Sequence, residues 1–109
     1  MIRPGIVRLL AVLGLALAAW APSAPAGAAD PGSGERIARR FCVGCHSIAR
    51  NQPSPQTDIP TFVEISRQRD FSADRVALML LTPHPPMPEF PITRGDAQDL
   101  AAYIAVLKN

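Results

Sequence analysis

Both cysteines of this 109-residue chain lie in one short run, Cys42-Val43-Gly44-Cys45, with His46 directly behind. A disulfide between them would close a loop of only two residues and would hardly constrain the unfolded chain. The chain therefore has no useful covalent staple, and its folded part is short. Residues 1–29 read as an export leader: Arg3 and Arg8 form a basic start, Leu9 to Trp20 is uncharged and apolar, and small residues follow. The expected cut falls between residues 26 and 29, leaving one domain over 30–109. An uncleaved leader would instead act as a membrane anchor, since no charge occurs between Arg8 and Asp30. Either outcome predicts a domain outside the cytoplasmic membrane, in the periplasm. A chain of about 80 residues buries only roughly 60–65% of its unfolded surface and usually needs a metal or cofactor to complete its core.

Charge narrows the partners. Of eleven Lys and Arg residues, Arg3 and Arg8 belong to the leader, which leaves nine basic groups against nine acids. The mature domain is near neutral. No basic patch interleaved with aromatics occurs, which excludes nucleic acid as an expected partner.

The pattern of apolar residues predicts four helices and no strand. The first runs from a Ser33 cap to about Phe41. Gly34 and Ala38 share one face of it, where another helix can approach closely; Arg36, Arg39 and Arg40 form a solvated side. Thr61 and Glu64 have capping-box spacing, with Phe62 and Ile65 turned inward. Ser72 caps a third helix, in which Val76, Met79 and Leu80 recur at helical spacing. Five prolines between Pro83 and Pro91 then exclude helix and sheet interior and predict an extended path. Thr93 and Asp96 open the last helix, whose stripe is Ala97, Leu100, Ala101, Ile104 and Leu107, with Tyr103 at its edge and Lys108 at the C-terminal dipole end.

Three chemistries suit Cys42, Cys45 and His46. A redox dithiol needs a strand before the motif and a helix after it; here a helix precedes and a polar, proline-bearing loop follows. A structural zinc site needs four ligands, and Cys42, Cys45, His46 and His84 suffice in number. Adjacent Cys45 and His46 close one tetrahedron awkwardly, however, and exported proteins seldom keep thiolates reduced. Covalent attachment of haem fits best. Two thiols at this spacing add across the two vinyl groups, and the following imidazole is held beneath the iron. The haem also supplies the apolar bulk that so short a chain lacks.

With "GERIARRFCVGCHS", "IPTF", "PHPPMPEF" and "DLAAYIAVL" in this order, residues 31–109 resemble the class I c-type cytochromes, small monohaem electron carriers. The resemblance implies an all-α fold of about four helices around one covalent haem c, with the first and last helices crossing near Gly34, Leu100, Tyr103 and Ile104. It makes Cys42 and Cys45 the thioether links and His46 the proximal iron ligand. The Pro60 carbonyl is expected to accept from the His46 ring N–H. Met87 becomes the distal ligand through its sulfur, with His84 as second choice. Met79, the other methionine of the domain, is assigned to packing.

The chain departs from the family at Ala38, where an aromatic often stands, which predicts a looser or shifted crossing. The Trp and Tyr that often hold a haem propionate are largely missing, which leaves Arg50, Arg67 or Arg69 for that role. The lysine ring some relatives use for docking is also missing, since Lys108 is the only lysine.

The resulting expectation is a monomeric, non-enzymatic periplasmic carrier that passes single electrons between transient redox partners such as an oxidase, reductase or dehydrogenase. The alternatives are a haem-based ligand sensor, or an electron-transfer subunit of a periplasmic dehydrogenase.

Overall fold

The computed structural model describes residues 27–82 and 84–109. The expected leader lies almost wholly outside these residues, as does Pro83 of the proline run. Among the described residues the chain forms α1 (Pro31–Phe41), α2 (Phe62–Ser66), α3 (Ala73–Leu80) and α4 (Arg94–Val106), with no strand. None of these helices is long and apolar enough to cross a membrane.

The N-cap of helix α1 lies three residues before the expected Ser33. Asp30 is the N-cap, and its carboxylate accepts from the Gly32 N–H at 2.9 Å. Pro31 explains the shift, because proline lacks an N–H and carries a preset helical φ at the first helical position. Ser33 instead donates its hydroxyl to the Asp30 carboxylate at 2.8 Å. The Asp30 N–H also donates to Asp99 on α4 at 2.7 Å, so the start of α1 is tied directly to the last helix.

The remaining caps follow the sequence pattern. Thr61 and Glu64 form a reciprocal capping box at α2, and Thr93 and Asp96 form another at α4. Ser72 accepts from the Arg75 N–H at the start of α3. Such caps are worth about 1 kcal/mol each, which matters for helices as short as α2.

The core is the crossing of α1 over α4, with α2 and α3 packed on α4. Ala97, Leu100, Ala101, Ile104 and Leu107 are all buried, as their stripe predicts, and Tyr103 is buried with them. A Cβ on Gly34 would lie 2.8 Å from the Tyr103 Cβ and closer still to the Asp99 carbonyl group. Only a glycine permits that approach. Ala38 is fully buried in the same contact, so the small residue gives a tight crossing, not a loose one. The Tyr103 hydroxyl donates to the Ile48 carbonyl at 2.8 Å, which anchors the loop after the cysteines to α4. Burial is the main influence raising the Tyr103 phenol above its ordinary value, with the Glu35 charge adding to it.

Helix α3 differs from its expectation. Val76 and Ala77 are buried, whereas Met79 is half exposed and does not fill the core. The helix has eight residues and packs against α4 along one side. Leu78, Met79 and Leu81 stand away from that contact.

Candidate haem site

The last turn of α1 delivers the cysteine motif. The His46 and Cys45 N–H groups both donate to the Cys42 carbonyl, at 2.9 and 3.1 Å, which folds the five residues into a compact turn. Cys42 is buried and Cys45 is exposed. Burial, and to a lesser degree the neighbouring Cys45, push the Cys42 thiol up to about 11. A redox dithiol requires the opposite shift at its attacking cysteine, so the electrostatics disfavour that reading. The zinc reading fares no better. Among the described residues, no group of three or more His, Cys, Asp or Glu side chains gathers at metal-binding distances.

His46 is oriented by its second nitrogen. Its Nδ1 lies 2.7 Å from the Pro60 carbonyl oxygen. A carbonyl only accepts, so Nδ1 carries the proton and Nε2 keeps its lone pair, the arrangement that suits a metal-ligating histidine. The loop is held at both ends of this contact. The Phe62 N–H donates to the Ser47 carbonyl at 2.9 Å, and the Phe62 ring lies 5.4 Å from the imidazole. Phe62 was legible as an inward residue of its helix; its place beside His46 was not.

Two glutamines add contacts that sequence reasoning missed. Gln52 accepts from the Ile48 N–H at 2.9 Å, and the Gln56 amide approaches the Cys45 sulfur at 3.7 Å. Both belong to a polar loop with no periodicity to flag them.

Met87 and His84 come together in the proline loop. Their backbones form an isolated antiparallel bridge, and the His84 Nε2 lies 3.2 Å from the Met87 sulfur. Both side chains are half-buried. A cleft of about 380 Å³ opens beside His84, lined by Phe71, Val76, Leu78 and Met79 together with the charged Asp70 and Arg75. Met79 therefore faces a cleft, not a packed core. A second cleft of about 380 Å³, between α1 and the Pro91–Ile92 segment, contains none of the candidate ligands. The Phe41 and Phe90 rings, 5.4 Å apart, tie the exit of the proline loop to the end of α1.

Of the three arginines considered for a propionate, Arg50 is already engaged. Its guanidinium donates to the Val106 carbonyl at 3.0 Å and so caps the end of α4, the place expected for Lys108. Arg67 and Arg69 are exposed next to α2.

Two thiols three residues apart and an imidazole whose Nε2 is left with its lone pair form a donor set that fits covalent haem. Fold and motif together define a class, the small helical proteins that carry such a haem. Known proteins narrow it. The chain is 45% identical over 94 residues to cytochrome c-552 of Bradyrhizobium diazoefficiens, covering 86% of this chain and 90% of that protein. It is 29% identical over 97 residues to cytochrome c6 of a Nostoc species, covering 87% and 86%. No family model and no solved structure matches it. The chain belongs to the class I monohaem c-type cytochromes. Its cofactor is covalent haem c with iron, and its role is in electron transfer with redox protein partners.

Proposed function

We propose that this protein is an exported electron shuttle whose iron is held between His46 and Met87, with Cys42 and Cys45 as the thioether links. The observation that carries the reading is the His46 ring, whose Nδ1–H is spent on Pro60 while Nε2 is left to ligate. The haem iron, when bound, supplies a one-electron Fe(III)/Fe(II) couple, and a thioether ligand raises its potential relative to a second imidazole. The chain's own residues do the rest. Pro60 fixes the tautomer and direction of the proximal imidazole, and Phe62 limits its rotation. The prolines around Met87 restrict the thioether in advance, so little entropy remains to be lost on ligation. The motif turn keeps Cys45 at the surface, so a haem linked there would have that attachment near solvent, where a partner could exchange an electron with it.

If His46 and Met87 both ligated the iron, no position would be left on it for a substrate, and the protein would act as a carrier and not as an enzyme. Residues 1–29 act as a cleaved leader, and 30–109 form a monomeric periplasmic domain. Its partners dock transiently through a small patch near the exposed thioether edge, where arginines stand in for lysines.

The oxidised holoprotein is expected to show the weak far-red Met–iron charge-transfer band, and Met87→Ala is expected to abolish it. Persistence of the band in the variant would overturn the assignment. Carbon monoxide separates the carrier from a ligand sensor: the reduced carrier binds it poorly at neutral pH, whereas a sensor with a labile sixth position binds it readily without denaturation. Co-purification with a dehydrogenase would mark the protein as a subunit of that enzyme.

A further inference from the structure

The two histidines of the folded domain are prepared in the same way. His46 directs Nδ1 to the Pro60 carbonyl at 2.7 Å, and His84 directs Nδ1 to the Thr82 carbonyl, also at 2.7 Å. In each neutral ring the carbonyl fixes the tautomer and leaves a lone pair on Nε2, the form a metal ligand requires. The support behind His84 is itself fixed. The Thr82 hydroxyl and N–H donate to the Leu78 and Met79 carbonyls, at 2.8 and 3.2 Å, so its carbonyl extends the last turn of α3. An ordinary surface histidine needs no such orientation. The freed nitrogen, on a half-buried side chain, has a specific neighbour. It lies 3.2 Å from the Met87 sulfur, held there by the 84–87 bridge. Two lone pairs at that distance do not bond each other, and both can serve one electron-poor centre.

We propose that His84 is a reserve axial ligand, which takes the sixth position of the iron through Nε2 whenever the Met87 thioether is absent. The proposal rests on the reading of Met87 as the native distal ligand. It would give the site a second, lower-potential ligand set of two imidazoles.

The test uses the full-length holoprotein, exported and carrying its haem, in four forms: wild type, His84→Ala, Met87→Ala and the double variant. His84→Ala is expected to keep the far-red Met–iron band. Met87→Ala is expected to lose that band yet remain low-spin and six-coordinate by absorption and electron paramagnetic resonance, with the signature of two imidazoles. The double variant is expected to turn high-spin and to bind carbon monoxide rapidly when reduced. A Met87→Ala protein that is already high-spin, and matches the double variant, would overturn the reserve-ligand proposal while leaving Met87 as native ligand. Retention of the band in Met87→Ala would instead sink the reading of Met87 itself. If Met87→Ala fails to mature, Met87→Leu, which keeps the loop's apolar volume, gives the same decision with or without His84.

Discussion

His46 and Met87 sit in regions built in different ways. On the His46 side, local turns, a backbone bond from Phe62 to Ser47, the Pro60 contact and the Tyr103 hydroxyl all converge within one loop. Ser47, Ile48, Phe62 and Cys42 are buried there. On the Met87 side the chain follows a proline-rich path whose contacts are mostly local, His84 to Thr82 and His84 to Met87, with Phe90 on Phe41 as the tie to α1. Neighbouring Leu78, Met79 and Leu81 are exposed. One side is fixed by packing and the other by the stiffness of its own backbone. The proximal ligand should therefore be intolerant of change and the distal ligand replaceable, and this difference can be attacked directly.

The largest effect is expected at the proximal ligand. His46→Ala should abolish the low-spin spectrum of the purified protein, whereas Met87→Ala should keep its haem covalently attached; equal losses in the two variants would erase the contrast. Gly34→Val comes next. Its side chain would be driven into the Asp99 backbone and Tyr103, and overpacking of this kind costs about 1–3 kcal/mol or more. Chemical denaturation should register it as a lowered midpoint. Tyr103→Phe leaves the Ile48 carbonyl without its buried donor and should cost about 1–3 kcal/mol, read from the same titration.

A smaller effect is expected from acid. Hydrogen bonds from the Thr61 backbone first and its hydroxyl second hold Glu64 below the usual carboxylate range, and Thr93 does the same for Asp96. A depressed folded value stabilises the protein above the ordinary carboxylate range, and that stability is lost as the pH falls through the folded value. Thermal midpoints followed from neutral pH downward should decline in this window, and Asp96→Asn should shallow the decline. The smallest effect is expected on the distal side. Leu78 is 66% exposed, and Leu78→Ser should change stability by no more than about 0.5 kcal/mol. A larger loss would mean that the proline-loop side is packed as firmly as the proximal side.

Much of this was legible in the sequence because it depends on local spacing. The capping boxes at Thr61 and Thr93, the α4 stripe and the small faces of Gly34 and Ala38 are short-range patterns with direct physical causes. At the start of α1 Ser33 and Asp30 both suit a cap, and Pro31 decides between them. Periodicity within a helix does not say what lies opposite each face, and opposite Met79 lies a cleft and not a packed core. The bonds from Arg50 to Val106 and from Tyr103 to Ile48 join residues 56 and 55 positions apart. No local pattern announces such partners. The pairing of His84 with Met87 lay between these extremes: both residues stood out in the loop, but only the geometry shows that one ring nitrogen is spent on Thr82 and the other turned to the sulfur.

The most direct test of the account is acid–acetone extraction of the exported protein, followed by its absorption spectrum and intact mass. The account predicts that haem stays with the polypeptide, adding the mass of one haem, and that Cys42→Ala with Cys45→Ala releases it into the solvent. Haem that partitions into acetone from the wild-type protein, or a mass with no haem, would contradict attachment through these cysteines and with it the site built on His46.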